Sequence, residues 1–205
     1  MSKLFVMMGK SATGKDTIYR DLMNKSELPL LPVTGYTTRP IRDGEQNGKQ
    51  YYFVTVQQMK QMEQEGKIIE CRCYQTVYGE WYYFTANDGQ IDLSRADYLM
   101  IATLEGYEKL QQYFGKDIVI PIYLEVEDGI RLNRALLRER EQKYPKYAEL
   151  CRRYLADEQD FADENLDRAG IQKRYQNIEE KDCLLQIIEM IRKILIERNV
   201  SEDKL

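Results

Sequence analysis

The chain has no histidine, and its 205 residues include only four cysteines, five prolines and one tryptophan. Without histidine no Ser-His-Asp or Cys-His arrangement is possible, which excludes that kind of nucleophilic catalysis. Chemistry has to rest on lysine, arginine, carboxylates, hydroxyls and a metal. Phosphoryl transfer fits that inventory, since it needs positioning and charge neutralisation more than acid–base work. Cys71, Cys73, Cys151 and Cys183 are scattered, and only the first two are close. That spacing does not suggest zinc; buried or half-buried reduced thiols are expected instead. No apolar stretch approaches the length of a membrane span. Residues 1–20 lack the design of a secretory leader, so the cytoplasm is the expected location. Neither charge dominates: 30 basic against 34 acidic residues leave a net charge of −4. No general affinity for nucleic acid or membrane is expected.

What is present begins at residue 3. Leu4 to Met8 is a short apolar run that reads as a fully buried strand. It stops at Gly9, and four residues later come Gly14 and Lys15. This is the phosphate-loop spacing up to its last letter. Small residues let successive backbone N–H groups turn inward around a polyphosphate. Lys15 adds a point charge for the β- and γ-phosphates, and the following helix points its positive end at the anion. The expected ATP contacts are Gly9, Ser11, Ala12, Thr13, Gly14, Lys15, Asp16 and Thr17. One position departs from the pattern. Asp16 stands where Ser or Thr would reach Mg²⁺, and Thr17 comes next.

Further along, Lys15–Asn24 reads as a helix, and residues 28–33 as a proline-punctuated edge strand or extended connector. Arg39 and Arg42 lie in a loop that Pro40 keeps extended, followed by the turn signals Asp43-Gly44 and Asn47-Gly48. Two guanidiniums near a tyrosine suit a phosphate monoester; a solvated surface loop is the rival reading. Tyr51–Val56 reads as a strand and Val56–Glu65 as a helix with Met59 and Met62 toward a core. A central parallel strand is expected over Asp97–Thr103 and a helix from Leu104 to Phe114. Another strand follows over Ile118–Val126. Asp128–Lys143 is a basic helix with Arg131, Arg134, Arg138 and Arg140, and a second helix carries Arg152 and Arg153. Arg174–Asn177 reads as the last strand, and Lys181–Asn199 as an amphipathic closing helix.

The stretch Thr37-Thr38-Arg39-Pro40-x-Arg42-x-Gly44-Glu45-x-Asn47-Gly48-x-x-Tyr51-x-Phe53, following a phosphate loop, resembles the guanylate kinase family. The resemblance implies a three-layer α/β P-loop kinase fold with a central parallel sheet. Its core would comprise residues 1–33, 97–127 and 170–205, with a small mixed α/β GMP-binding insertion at 34–96 and a helical lid at 128–169. It implies ATP and GMP as partners, Mg²⁺ with the ATP, and a monomer or homodimer. Arg39, Arg42 and Tyr51 would grip the GMP phosphate, and Glu70 would meet guanine. Tyr78 would be a further phosphate ligand and Glu80 would take a base-side place; a rival alignment on Tyr82-Tyr83-Phe84-Thr85 keeps the base-side hydroxyl and makes Tyr82 or Tyr83 the rival to Tyr78. Arg134, Arg138 and Arg153 (or Arg152) would close over the transferring group, with Lys15 and Arg39 the other catalytic residues. Asn177 would lie near adenine. The largest departure is at Ile101 and Thr103, where the family tends to carry aspartates; Thr103 is kept as a GMP-side candidate. Gly35 likewise replaces a serine. Asp16 or Glu105 is the nearest carboxylate to restore a metal link. Two rivals are a kinase of the same fold for another nucleotide, and a non-catalytic interaction module.

Overall fold

In the computed structural model, which describes residues 1–24, 28–42, 44–76 and 79–202, the core is a five-stranded parallel sheet. Its central strand is β1 (Leu4–Met8), flanked by β7 (Asp97–Ile101) and β8 (Val119–Glu125), with β2 (Leu30–Pro32) and β9 (Arg174–Gln176) at the edges. In register, Leu4 pairs with both Tyr98 and Val119. Every residue of β1 is buried, which explains why the run is apolar without alternation. Its two faces nonetheless feed different cores. Leu4, Val6 and Met8 pack with residues of α3 (Leu104–Phe114), while Phe5 and Met7 pack with residues of α1 (Lys15–Asn24) and α7 (Glu180–Glu202). Helices thus cover both faces, giving three layers. Pro32, which has no N–H to donate, sits on an edge strand.

Residues between β2 and β7 build a second sheet in the order β4–β3–β6–β5, from β3 (Tyr36–Thr37), β4 (Tyr52–Phe53), β5 (Ile68–Thr76) and β6 (Gly79–Ala86). It has a core of its own, where Met59 of α2 (Val56–Gln64) meets Phe84 and Ala86 with Met62 alongside. The strand expected over Tyr51–Val56 is shorter because the backbone is claimed on both sides. The Asn47 side chain takes the Phe53 N–H at 2.8 Å, and Thr55 caps α2 in a reciprocal capping box with Gln58. Likewise β7 stops at Ile101 because Thr103 is the N-cap of α3.

After β8 come α4 (Asp128–Arg140), α5 (Tyr147–Asp160) and the short α6 (Asp163–Arg168), which the sequence reading did not anticipate. The helix expected to reach Lys143 ends at Arg140, five positions before Pro145. All four cysteines are free. Cys183 is buried and Cys71 half-buried, but Cys73 and Cys151 are exposed, which corrects the expectation for those two. Among the described residues no helix is long and apolar enough to cross a membrane.

Candidate active site

The loop between β1 and α1 is shaped by three close approaches. A Cβ on Gly9 would stand 2.6 Å from the Leu124 carbonyl and 2.9 Å from Thr13 Oγ1. A Cβ on Gly14, where φ is +85°, would stand 2.5 Å from Asn177 Nδ2. Ala12 is held at φ 64°, a left-handed conformation that side chains seldom adopt. Thr13 braces the turn by donating its hydroxyl to Lys10 O at 2.9 Å. Asn177 donates Nδ2 to Thr13 O at 2.7 Å, so it clamps the loop from the edge of the sheet, and its buried Oδ1 has no hydrogen-bond partner among the described residues. Lys15 makes no side-chain hydrogen bond or ion pair among the described residues. Its ammonium is therefore not committed to the fold. Asp16 is exposed in the first turn of α1, and Thr17 follows it.

The helical segment meets this loop through groups that the sequence reading missed. Lys10 Nζ donates to both oxygens of Glu158, at 2.9 and 2.8 Å, and the Ser11 N–H donates to Asp157 Oδ2 at 2.6 Å. Arg131, 1% exposed, joins Asp128 (3.0 Å), Asp157 (3.5 Å) and Glu158, and lies 4.1 Å over the Tyr154 ring. No local signal reveals these pairs, because 146 to 148 residues separate the loop positions from their acidic partners. Next to them a small cleft is lined by Ser11, Arg138, Arg153 and Tyr154. Arg153 Nε is buried there, 4.0 Å from Glu149 Oε1 and without a hydrogen-bond partner among the described residues. Arg134 is placed otherwise: it donates Nη1 to Asn177 O at 3.1 Å, next to the loop clamp rather than in the cleft. Arg152 is tied to Glu149 at 2.7 Å.

On the second sheet, Arg39 is 4% exposed and forms a two-pronged pair with Glu45, at 2.7 and 2.6 Å. Its guanidinium lies 5.3 Å over Tyr51 and 5.2 Å over Phe53. Arg42 is exposed and gives Glu45 only its backbone N–H, at 2.9 Å. Tyr51 meets Tyr83 edge-on at 5.6 Å, and Tyr83 meets Tyr74 at 5.5 Å. Burial is the main cause that pushes the Tyr51 hydroxyl up, with Tyr83 and, on a smaller scale, Asp16 adding to it. Asp16 at the start of α1 therefore acts on Tyr51 only weakly. Gly35 leaves its neighbours at ordinary distances, since a Cβ would meet Phe84 O at 3.6 Å.

Glu70 is buried, and it accepts the Thr85 hydroxyl at 2.8 Å. The two face each other across the antiparallel β5–β6 pair, while Glu80 faces Gln75 near the hairpin end. Glu80 is exposed there and accepts from Gln75 and from the Tyr82 hydroxyl, at 2.7 and 2.6 Å. The register moves the place beside Glu70 from Glu80 to Thr85, and it puts Tyr83 rather than Tyr82 beside Tyr51. Tyr78 lies outside the described residues, as does Asp43 of the first expected turn. Thr103 joins the group by accepting Arg72 Nη1 at 2.9 Å and the Gly106 N–H at 3.2 Å. Glu105 is exposed and paired with Lys109 at 2.7 Å.

The Arg39–Glu45 pair carries a pH signature. Hydrogen bonding from Arg39 is the main reason the Glu45 carboxyl is lowered from 4.5 to about 2. A depressed carboxyl contributes stability above its unfolded value and loses it as pH falls through the folded one. The gap in melting temperature between the wild type and Glu45→Gln should be widest at pH 6 and close between pH 5 and pH 2. Thermal denaturation across that range checks this, and a gap independent of pH would refute it.

A glycine loop leading from the central strand of a parallel sheet into a helix, with arginines gathered on two sides of it, defines a P-loop kinase fold. Comparison with known proteins narrows this. The family model described as guanylate kinase matches residues 1–107, just over half of the chain, and the chain belongs to that family. It is 28% identical over 126 residues to a guanylate kinase from Porphyromonas gingivalis, covering 60% of this chain and 65% of that protein. A guanylate kinase from Nostoc sp. is 28% identical over 135 residues, covering 63% and 65% respectively. The matched part thus spans just under two thirds of those relatives. A crystal structure of guanylate kinase from Anaplasma phagocytophilum superposes with a TM-score of 0.64 at 18% identity, over 94% of this chain and 85% of that one. That likeness concerns the fold.

Proposed function

We propose that this chain is a guanylate kinase, transferring the γ-phosphoryl group of ATP to GMP or dGMP to give ADP and GDP. The observation that carries the reading is the pairing of two incomplete anion sites. Lys15 keeps an uncommitted ammonium at the phosphate loop, and Arg39, Tyr51 and Tyr83 gather on the second sheet, with the exposed Arg42 beside Glu45 and Asp16 raising the Tyr51 hydroxyl slightly from the start of α1. On this reading residues 34–96 bind the acceptor and 128–169 form the lid.

The loop amides and Lys15 hold the β- and γ-phosphates. Arg39, Arg42, Tyr51 and Tyr83 place the acceptor phosphate in line, which is where most of the rate arises. No general base is needed, because the acceptor is already an anion. Arg138 and Arg153 neutralise the transferring group and exclude water. Arg134 and Asn177 hold the loop from the nucleotide side, and Glu70 with Thr85 reads the base. Asp16 and Thr17 offer hard oxygen donors, which suits Mg²⁺, a cation that takes few protein ligands and otherwise phosphate and water. Bound with ATP, it would neutralise charge between the β- and γ-phosphates.

The test is a coupled ADP-release assay with ATP, Mg²⁺ and each of GMP, dGMP, AMP, CMP and UMP. Turnover confined to GMP and dGMP is expected. Turnover with another monophosphate would keep the kinase and move the substrate. Absence of turnover with all five would overturn the proposal.

A further inference from the structure

Arg72 belongs to no motif, yet it lies across the one buried carboxylate of the base-reading group. Its Nε donates to Glu70 Oε2 at 3.1 Å and its Nη2 to Oε1 at 3.4 Å, so the guanidinium straddles both oxygens. Its Nη1 donates to Thr103 Oγ1 at 2.9 Å, which fixes it from the opposite side. Behind the carboxylate stand Thr85 and the first turn of α3, where a Cβ on Gly106 would be 3.5 Å from Glu70 Oε2. The Glu70 side chain is 1% exposed and that of Arg72 is 17% exposed. Arg72 is therefore the cover on the more exposed side of the carboxylate.

The chemistry of that cover is specific. Guanine presents N1–H and the C2 amino group as two parallel donors on an N–C–N fragment. The Nε–Cζ–Nη2 edge of arginine is the same fragment, offered to the same two oxygens. We propose that Arg72 is a specificity-determining residue that occupies the base subsite in the nucleotide-free protein and is exchanged for the nucleobase when GMP binds. This rests on the reading of Glu70 as the base-binding carboxylate. Thr103 keeps the displaced guanidinium close by. A base with two parallel donors replaces what Glu70 loses. A base without them leaves a buried charge unpaired, which is strongly unfavourable. Adenine, with one amino group beside a ring acceptor, therefore leaves Arg72 where it is. The exchange trades affinity for selectivity.

Isothermal titration of the full chain with GMP and with AMP, without ATP, tests this. Arg72→Met removes the competing donors and keeps the aliphatic stem. GMP should bind about tenfold tighter to it than to the wild type, a change on the scale of one well-placed polar contact. AMP binding should not change, because AMP displaces nothing. Glu70→Gln serves as the reference and should weaken GMP binding at least tenfold. If Glu70→Gln leaves GMP binding unaltered, the base-reading role of Glu70 falls and the exchange falls with it. If Glu70→Gln weakens binding but Arg72→Met leaves it equal or weaker, only the exchange is overturned. Arg72→Gln, neutral and still polar, should change GMP binding in the same direction and stands in if the methionine variant does not fold. GMP should also raise the melting temperature of either variant more than that of the wild type.

Discussion

Replacing Lys15 by methionine should lower phosphoryl transfer by about 10³-fold and leave the protein folded. The two halves of that result have separate causes. Lys15 is half-buried at the start of α1 and makes no side-chain contact by hydrogen bond or ion pair among the described residues. Methionine keeps the length and the apolar stem and is a good helix former, so stability should stay within about 0.5 kcal/mol. On the proposed reading the ammonium itself is the part that meets the phosphates. Charge fixed where charge develops acts in a water-poor site and needs no reorganisation during the reaction. The measurement is coupled ADP release with GMP, alongside thermal denaturation of the same preparation. Turnover within tenfold of the wild type, in a variant with an unchanged melting temperature, would remove Lys15 from the mechanism. A large loss of stability would show that the side chain serves the fold instead.

Much of the fold was legible because its signals are local. The unbroken apolar run of Leu4–Met8 marks a strand buried on both faces, and it lies at the centre of the parallel sheet. The helix expected from Lys15 to Asn24 has those bounds, since the phosphate loop dictates where it starts. Boundaries slipped where a side chain competed for the backbone, as Thr55 and Thr103 do when each caps a helix and shortens the strand before it. The site was less legible, because its geometry depends on register and on distant pairs. Tyr78, Tyr82 and Tyr83 are near neighbours in sequence, and spacing from Glu70 cannot choose among them. The antiparallel pairing of Glu70 with Thr85, which includes a register shift between Ile68 and Glu70, puts Tyr83 rather than Tyr82 beside Tyr51, while Tyr78 lies outside the described residues. Arg72 has the look of a solvent-side strand residue until its partners are known. Arg131 reads as one of four basic residues on a helix, and such runs are mostly solvated faces. Only the fold brings Asp157 and Glu158 to it.

That Arg131 cluster is where a single substitution should cost the most stability. Arg131→Met should lower stability by about 3–5 kcal/mol. The reason lies in what the substitution leaves behind. Arg131 is surrounded by Asp128, Asp157 and Glu158, three carboxylates against two cations, the other being Lys10. Without the guanidinium, Lys10 alone faces three negative charges at a partly buried junction. The Tyr154 ring also loses the cation stacked on it at 4.1 Å. For a chain of this size such a loss corresponds to a drop of about 10 °C in melting temperature. The function should suffer by a route of its own. Asp157 accepts the Ser11 N–H, so α5 is joined to the phosphate loop through the same carboxylate that Arg131 steadies. Loosening it should raise the KM for ATP more than the KM for GMP, whose proposed ligands lie on the other sheet. Arg131→Met combined with Asp157→Leu removes a carboxylate together with the cation and should recover part of the lost stability. It should not recover the KM for ATP, because α5 stays unjoined from the phosphate loop. Thermal denaturation and steady-state kinetics of the single and double variants separate the two effects. If the single variant melts within about 2 °C of the wild type, the cluster is solvated in solution and does not hold α5 to the loop.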